Sequence, residues 1–311
     1  MTDAEVTQKT NIIDRGEALR YFLKPLKSEA DKFANGKVMV IAGSGGMTGA
    51  AVLCARAAMH SGAGLVYSVL PGACLRSVEN ALPEAVKCPV GASGSERFCE
   101  CDAERLEELS GGMDAVAIGP GLGRDPGTQK LVRRLLGSAK FAPDAAAVIA
   151  DADGLYPFSG DLNALAEAAA LRPGKLIITP HEGEAARLIG ICREHVRAER
   201  PGCALRLADA LSGGVAVLKG HETIVAAGEE STVNETGNAG MGTGGSGDVL
   251  TGITAALAAG ARMDCQPLKN IVKFAVAVHG LAGDVMAKKH SQRFITASDI
   301  ITGLGELTEY A

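Results

Sequence analysis

The most informative stretch of the sequence is a glycine-rich run that ends at a carboxylate. Six glycines lie within the thirteen residues from Thr236 to Asp248, and an apolar helical pattern follows at once. Glycines ahead of a helix let backbone N–H groups converge on an anion, and the helix dipole adds positive potential there. With phosphate oxygens bound at these N–H groups, Asp248 can accept the proton of an attacking hydroxyl as a general base. In the alternative interpretation, Asp248 only neutralises the helix dipole.

Two further glycine-rich segments follow apolar runs. Residues 42–49 read AGSGGMTG and residues 119–123 read GPGLG. Each can bring a backbone close to a ligand, and each can equally be an ordinary turn between a strand and a helix. No Gly-Lys-Ser or Gly-Lys-Thr follows the glycine run at 236–248, which disfavours a Walker-type P-loop.

Polar side chains also follow predicted strands. His181 and Glu184 stand three residues apart, so they share one face of the first turn of a predicted helix. They fit a polar site at a strand's carboxyl end, or a capping arrangement for that helix. Asp151 and Asp153 come directly after another apolar run, where one can cap a helix or both can shape a site.

Residues 217–228, VLKGHETIVAAG, predict two strands joined by a short turn that begins with Lys219 and Gly220. This segment fits a flap over an adenine or a ribose. A plain hairpin is the alternative.

The elements that position these residues alternate between strand and helix. Short runs rich in Val, Ile and Leu predict strands that are covered on both faces, as in a parallel sheet. They begin at Lys37, Gly64, Asp114, Ala146, Lys175 and Val215. Helical patterns separate most of them, so the sequence predicts a layered α/β domain with right-handed crossovers. After Asp248 the balance shifts to helix.

The domain organisation follows from the same pattern. Residues 1–33 are more polar and predict an N-terminal helical arm, and residues 34–311 predict a single domain. There is no linker of biased composition and no repeat of fixed period.

Composition excludes several classes of protein. The net charge is −5, from 36 acidic and 31 basic residues, and no long basic block suggests a nucleic-acid surface. No signal-peptide pattern opens the chain and no apolar run is long enough for a membrane span, so we expect a cytoplasmic protein. Eight cysteines are scattered without metal-ligand spacing, and we expect them to be reduced.

Nine segments, taken in chain order, resemble the ADP/ATP-dependent NAD(P)H-hydrate dehydratases, a family of the ribokinase-like superfamily. They read GSGGMTGAA, SGAGLV, GPGLGRD, DADGL, TPHEGEAARL, VLKGHETIV, GNAGMGTGGSGDVLTG, HGLAGD and ASDI, and span roughly residues 30–305. The resemblance implies a three-layer α/β/α ribokinase-like fold with a central, mostly parallel sheet. It also implies that the ring hydroxyl of (6S)-NAD(P)H hydrate is phosphorylated by ADP or ATP and then eliminated as phosphate, restoring NAD(P)H.

The resemblance also assigns expected roles to residues. Asp248 is implied as the catalytic base, and Glu184 as the acidic position that organises a Mg²⁺-bound water. The residues implied at the hydrate are Ala50, Gly121, Gly123, His181 and Asp248. The residues implied at the nucleotide are Lys219, Gly220, His221, Glu222, Thr223, Gly245, Ser246 and Gly247. The implied cofactors are Mg²⁺ and ADP or ATP as phosphoryl donor.

Two departures from the family pattern qualify this expectation. Met47 stands where many members have an aromatic residue, so the pocket wall there can differ. Many members also carry an epimerase domain ahead of the dehydratase domain. The first predicted strand begins at Lys37, so we expect the epimerase to be a separate protein. A homo-oligomer is expected from the resemblance alone.

Two alternatives compete with this hypothesis. A vitamin-precursor kinase of the same superfamily would use the same anion hole, but TPHEGE combined with GPGLG resembles the dehydratases instead. A nucleotide-binding regulatory module without turnover would have no use for a base such as Asp248 beside the phosphate.

Overall fold

A computed structural model describes residues 11–25, 32–261 and 266–310. The strands are β1 (Asn11–Ile12), β2 (Lys37–Ile41), β3 (Leu65–Pro71), β4 (Val86–Val90), β5 (Ala115–Ile118), β6 (Ala147–Ala150), β7 (Leu176–Ile178), β8 (Val215–Leu218), β9 (Ile224–Ala227) and β10 (Glu230–Val233). The helices are α1 (Arg15–Phe22), α2 (Thr48–His60), α3 (Leu75–Glu79), α4 (Ala103–Ser110), α5 (Pro126–Leu136), α6 (Leu162–Ala170), α7 (Glu182–Ile189), α8 (Arg193–Ala198), α9 (Arg200–Asp209), α10 (Ser246–Gly260), α11 (Leu268–His290) and α12 (Ala297–Glu306).

The strands form one ten-stranded sheet in the order β1-β10-β9-β8-β7-β6-β5-β2-β3-β4. All neighbouring pairs are parallel except those that β9 makes with β8 and β10. Chain order reverses between β2 and β5, since β3 and β4 extend the sheet on one side and β6 to β8 on the other. Ligands of doubly wound sheets bind beyond the carboxyl ends of the strands at such a switch point. The loops after β2 and β5 are therefore placed to form a site.

Helices cover both faces of the sheet. Successive residues of β2 enter opposite cores: Val38 and Val40 pack with α2, α10, α11 and α12, whereas Met39 and Ile41 pack with α4 to α9. This alternation follows from the two-residue period of a strand. The predicted three-layer α/β/α fold with a mostly parallel sheet is confirmed.

The six strands predicted from apolar runs are all present, and so is the second strand of the predicted hairpin. Three strands were not predicted, and all lie at or near the ends of the sheet. The edge strand β4 contains Pro89, which a central strand would not tolerate. β10 reads ESTV, with a buried Thr232 and an exposed Glu230, and carries no apolar run.

The described part of residues 1–33 contains α1, which Asp14 caps by accepting hydrogen bonds from Gly16 N and Glu17 N. It also contains β1, which pairs with β10. The prediction of a helical arm did not include this strand. Helix α1 packs on α11, where the Tyr21 and Phe274 rings lie 5.0 Å apart. Residues 1–10 and 26–31 of the arm lie outside the described residues.

Helix α11 is long and apolar enough to cross a membrane by length and composition alone. Within its most apolar window, 67% of the residues are buried inside the fold. Its buried side chains, among them Val272, Phe274 and Val278, belong to the core on one face of the sheet. Its apolar character is thus explained by packing, as in the core helix of a globular domain.

The expectation of reduced cysteines is wrong for one pair, because Cys99 and Cys101 form a disulfide. Cys99 is extended and a 3₁₀ turn follows at Glu100–Asp102, which brings the two Cα atoms to 5.4 Å. That separation is within the range a disulfide requires. The spacing C-x-C does not by itself determine this backbone path.

The helix that follows the glycine run, α10, is buried along nearly its whole length. It approaches α2 closely at Gly252, where a Cβ would lie 2.8 Å from the Ala57 Cβ and also against the Cys54 carbonyl oxygen. A larger residue would separate the two helices, so Gly252 sets the distance between α10 and α2.

We expect Gly252→Ala to lower the free energy of unfolding by about 1–3 kcal/mol, because the added methyl group overpacks the α2–α10 contact. Urea denaturation measures the change. Gly260→Ala is the matched control, since it lies on the same helix with nothing within 4 Å of its Cβ position. It should be neutral, or stabilising by up to about 1 kcal/mol. Equal destabilisation by the two changes would contradict the packing argument.

Candidate active site

The N-terminus of α10 forms the centre of the site. Gly245 is its N-cap in the left-handed conformation, with φ of 89°. A Cβ there would meet the Leu53 side chain and lie 3.1 Å from the Ala297 Cβ, so both backbone angle and space require glycine. The first N–H groups of a helix have no acceptor within it. Those of Gly247 and Asp248 are therefore placed to bind an anion, while Ser246 N also donates to the Thr243 carbonyl at 3.4 Å.

Helix α11 packs against the start of the glycine run and hydrogen-bonds to it. The Asp284 carboxylate accepts from Gly237 N and Asn238 Nδ2, each at 2.9 Å, and Thr236 Oγ1 donates to the Ala277 carbonyl at 2.9 Å. Gly280 lies directly against Thr236, with no room for a Cβ. The segment HGLAGD, to which the sequence analysis assigned no role, thus provides the surface on which the run is folded.

His279 of the same segment lies beside the anion-binding residues. Its Nε2 is 3.3 Å from Ser246 Oγ. Burial lowers the His279 pKa to about 4, so the imidazole is neutral at physiological pH. His279 can therefore orient the Ser246 hydroxyl without adding charge to the site.

Asp248 has the proton affinity of a general base. Burial raises its pKa to about 7, and the nearby Asp151 carboxylate adds to the rise, while the Lys219 ammonium opposes it. A general base works best when its pKa lies near the working pH. The alternative role, a carboxylate that only complements the helix dipole, would not require this dehydrated setting.

Asp151 and Lys219 form a buried ion pair next to Asp248. Lys219 Nζ donates to Asp151 Oδ1 at 2.6 Å, and Thr251 Oγ1 donates to Asp151 Oδ2 at 2.8 Å. Although burial alone would lower the Lys219 pKa, the carboxylates of Asp151 and Glu184 raise it above its ordinary value. The ammonium also lies 3.1 Å from where a Cβ of Gly247 would stand. A positive charge is thus held at the entrance to the anion-binding N-terminus.

His181 and Glu184 form a capping box at the start of α7. His181 Nδ1 accepts from Gly183 N at 2.9 Å, and Glu184 Oε2 accepts from His181 N at 2.9 Å. This is the capping arrangement that the sequence left open as an alternative. Burial lowers the His181 pKa, and the Lys219 and Arg187 cations lower it further, although Glu184 opposes the shift.

An open cavity of about 730 Å³ adjoins Asp248. It is lined by Gly46, Met47, Gly49, Ala50, Leu53, Gly121, Gly123, Arg124, Asp153, Gly244, Gly245 and Asp248. Its volume suits a ligand of drug or cofactor size. The cavity lies where the loops after β2 and β5 meet, at the switch point of the sheet.

The loop at residues 119–123 is held by Asp153. Gly123 N donates to Asp153 Oδ2 at 2.9 Å, and Arg124 Nε donates to Asp153 Oδ1 at 2.7 Å. Gly121 has φ of 63° and packs against Ala50, with its Cβ position 2.8 Å from the Ala50 Cβ. Asp153 therefore shapes this wall of the cavity, one of the two roles that the sequence left open for it.

The structure brings some of the predicted site residues together and keeps others apart. Ala50, Gly121, Gly123 and Asp248 line the cavity. His181 does not line it, but pairs with Lys219 through an isolated parallel bridge. His221 and Glu222 are exposed on the turn that follows. Arg124, Leu53 and His279 were not predicted, because only the tertiary fold brings them to the site.

The carboxylates of Asp151 and Glu184 could hold a cation only through water, not as direct ligands. Both oxygens of Asp151 and both of Glu184 already contact protein groups. Mg²⁺ commonly keeps several waters and binds through a few carboxylates and substrate phosphates. These residues fit an ion held through its water shell. Within residues 11–25, 32–261 and 266–310, the His, Cys, Asp and Glu side chains with direct-ligand spacing are Cys99, Cys101 and Asp102, where the sulfurs are bonded to each other.

The mostly parallel, doubly wound sheet, with a helix N-terminus and a carboxylate at its switch-point cavity, defines a protein of the ribokinase-like class. A ribokinase-like superfamily protein from Enterococcus faecalis V583 matches it with a TM-score of 0.79 and 25% identity, covering 100% of this chain and 99% of that one. The sequence model of the NAD(P)H-hydrate dehydratase family matches residues 38–304. The chain belongs to this family.

Similar proteins agree with that assignment. The bifunctional NAD(P)H-hydrate repair enzyme Nnr of Vibrio cholerae serotype O1 is 38% identical over 292 residues, covering 94% of this chain and 53% of that protein. The crystal structure of an ADP/ATP-dependent NAD(P)H-hydrate dehydratase from Bacillus subtilis, co-crystallised with ATP/Mg²⁺, matches with a TM-score of 0.75 and 25% identity. It covers 97% of this chain and 99% of that one. The chain spans about half the length of the curated relatives it matches.

The raised pKa of Asp248 predicts a pH-dependent cost to stability. The pKa rises from 3.8 to about 7 on folding, so between these values the unfolded chain has lost a proton that the folded protein keeps. Stability therefore falls as the pH rises through this window. We expect Asp248→Asn to raise the free energy of unfolding by about 1–2 kcal/mol at pH 8, which corresponds to a rise in Tm of a few degrees. The rise at pH 5 should be smaller.

Differential scanning calorimetry at the two pH values measures this difference. Asp209→Asn, at the exposed end of α9, serves as the matched control and should change Tm equally at both. A stabilisation by Asp248→Asn that is the same at pH 5 and pH 8 would show that the carboxylate has an ordinary pKa.

Proposed function

We propose that this protein dehydrates (6S)-NAD(P)H hydrate to NAD(P)H with ADP or ATP as phosphoryl donor, and so repairs a damaged cofactor. The observation that supports this most directly is the position of Asp248. It lies at an anion-binding helix N-terminus, lines the cavity, and has a pKa of about 7. Membership of the dehydratase family supports the choice of substrate.

In the proposed reaction, Asp248 removes the proton of the ring hydroxyl as its oxygen attacks the terminal phosphoryl group of the donor. The bond from that phosphorus to the bridging oxygen breaks, which leaves AMP from ADP or ADP from ATP. Phosphate then departs from the ring with the C–O bonding electrons, and a neighbouring ring carbon loses a proton to restore the double bond. Phosphorylation matters because phosphate is a much better leaving group than hydroxide.

The proposed site divides between the two substrates. The hydrate lies in the cavity against Ala50, Gly121 and Gly123, with its hydroxyl at Asp248. His181 remains a proposed hydrate contact that would depend on ligand binding, since it does not line the cavity. The donor's phosphates lie at the N–H groups of Gly245, Ser246 and Gly247. Its adenosine lies beside the turn from Lys219 through Gly220, His221 and Glu222 to Thr223.

Mg²⁺ is proposed as a cofactor, with Glu184 holding its water shell. When bound, it neutralises charge on the phosphoryl oxygens. The Lys219 ammonium, fixed by Asp151, adds positive charge at the same place. A separate NAD(P)H-hydrate epimerase as pathway partner, a cytoplasmic location and a homo-oligomeric state are also proposals that follow from the family resemblance.

A vitamin-precursor kinase is the competing proposal, because the anion-binding helix would serve it equally. An assay that combines NADH or NADPH hydrate with ADP or ATP and Mg²⁺ separates the two. Recovery of NAD(P)H absorbance and fluorescence supports the dehydratase, and the four combinations identify donor and substrate. Absence of recovery in all four, with phosphorylation of a hydroxymethyl-pyrimidine or hydroxyethylthiazole, would favour the kinase.

We expect Asp248→Asn to lower kcat for dehydration by about two to four orders of magnitude, because the amide keeps the shape and loses the base. Nucleotide affinity, measured by isothermal titration calorimetry, should be retained. Asp209→Asn should leave both unchanged. Normal turnover by Asp248→Asn would remove this carboxylate from the mechanism.

Gly247→Val should weaken nucleotide binding by at least about tenfold, since its side chain would occupy the phosphate position and contact the Lys219 ammonium. Calorimetry with ADP and ATP measures the loss. Gly305→Val, at an exposed position on α12 with nothing within 4 Å, controls for the helix propensity of valine. Unchanged affinity in Gly247→Val would mean that the phosphates bind elsewhere.

A further inference from the structure

The turn at residues 219–223 has a backbone that needs external support. Gly220 has φ of 150° and Glu222 has φ of 56°, a left-handed value that non-glycine residues adopt only when their surroundings stabilise it. Within the turn, Thr223 Oγ1 donates to the Gly220 carbonyl at 3.0 Å. This bond leaves the carbonyls of Leu218, just before the turn, and Glu222, within it, to other donors.

Arg200, the first residue of α9, supplies that support. Its Nη2 donates to the Leu218 carbonyl at 3.2 Å and to the Glu222 carbonyl at 3.3 Å, so one guanidinium bridges the two sides of the turn. Its Nη1 lies 2.7 Å from where a Cβ of Gly220 would stand. The turn is therefore closed around the guanidinium, and glycine at 220 makes room for it.

Glu182 orients this guanidinium. Its Oε1 accepts from Arg200 Nη1 at 3.0 Å, while its Oε2 accepts from Arg197 Nη2 at 3.1 Å and Arg193 Nε at 3.4 Å. The Arg200 side chain is 15% exposed, compared with 59% for Arg193 and 63% for Arg197. Arg200 is the buried member of the three and the one that bonds to the turn, whereas the other two are surface partners of the same carboxylate.

The Arg200 side chain links the start of α7 to the turn at residues 219–223. Glu182 begins α7, directly after His181, and the turn begins with Lys219, whose ammonium binds Asp151 at 2.6 Å. We propose that Arg200, oriented by Glu182, is a positioning residue that holds the turn at 219–223 in the conformation that accepts the nucleotide. This inference rests on the proposed function for the role of the turn, but its structural half can be tested without ligand.

A purely structural role is the competing explanation. Arg200 could serve only to fasten α9 to α7, in which case its loss would lower global stability and would affect both substrates alike. The turn would then keep its conformation through its own hydrogen bonds. Selective effects on the turn and on the nucleotide separate the two roles.

The experiment compares Arg200→Met with Arg193→Met, which removes a guanidinium from the same carboxylate without touching the turn. Amide hydrogen exchange of the unliganded protein, read by mass spectrometry on peptides covering 218–224, should accelerate by about tenfold or more in Arg200→Met, the factor expected for loss of charge-assisted hydrogen bonds. KM for ADP or ATP should rise by a similar factor, with KM for the hydrate changed less than about threefold. Arg193→Met should match the wild type, and Arg200→Lys should recover part of the loss.

Each outcome decides the proposal. Exchange at 218–224 that is equal in Arg200→Met and Arg193→Met overturns it, because the turn then holds itself. Faster exchange without a selective rise in the donor KM also overturns it, since the turn's conformation would not matter to the nucleotide. If the wild type dehydrates no hydrate, the proposed function fails, and the exchange comparison together with ADP and ATP affinity measured by calorimetry still decides the role of Arg200.

Discussion

The carboxylates of Asp151, Glu184 and Asp248 lie close together in a dehydrated space at the carboxyl edge of the sheet. The Lys219 ammonium neutralises only part of their negative charge. Asp151 takes the direct ion pair with that ammonium, so Asp248 remains the carboxyl group whose proton is hard to remove. Moving charges out of water is unfavourable unless partners replace the lost solvation. The surrounding hydrogen bonds from Thr251 and His181 provide such partners for Asp151 and Glu184. The reactivity of Asp248 is therefore a property of its neighbours.

The sheet determines where this charged group can be. Asp151, His181 and Lys219 follow three adjacent parallel strands, β6, β7 and β8, at their carboxyl ends. Parallel register brings these ends to one edge, and α10 reaches the same edge from the helical layer. The loop after β5 and the first turn of α2 then close the other side, where Gly121 and Ala50 touch. The charged side chains therefore come from the strand ends and from α10, and the glycine-rich loops form a wall of the cavity.

Much of the fold could be predicted from the sequence because its strands are buried on both faces and so appear as unbroken apolar runs. The edge strand β4 and the second-last strand β10 lack this signal, since β4 carries Pro89 and β10 is half polar. The site was partly predictable, because Asp248 ends a glycine run and that local pattern suggests anion binding. The bridge from Arg200 to Glu222 and the contact of His279 with Ser246 both depend on how distant segments of the chain fold together. Local spacing carries no information about such contacts.

The support that α11 gives to the glycine run has a consequence for natural sequence variation. Gly280 and Gly283 lie in the middle of a regular helix, where alanine would ordinarily be preferred. Their small size is instead required by Thr236 and Met241, which belong to a different segment and press against them. A variant at either position would leave the helix intact and displace the loop above it. Genetic changes there would resemble harmless helix substitutions, yet they would disturb the segment that leads into the anion-binding end of α10.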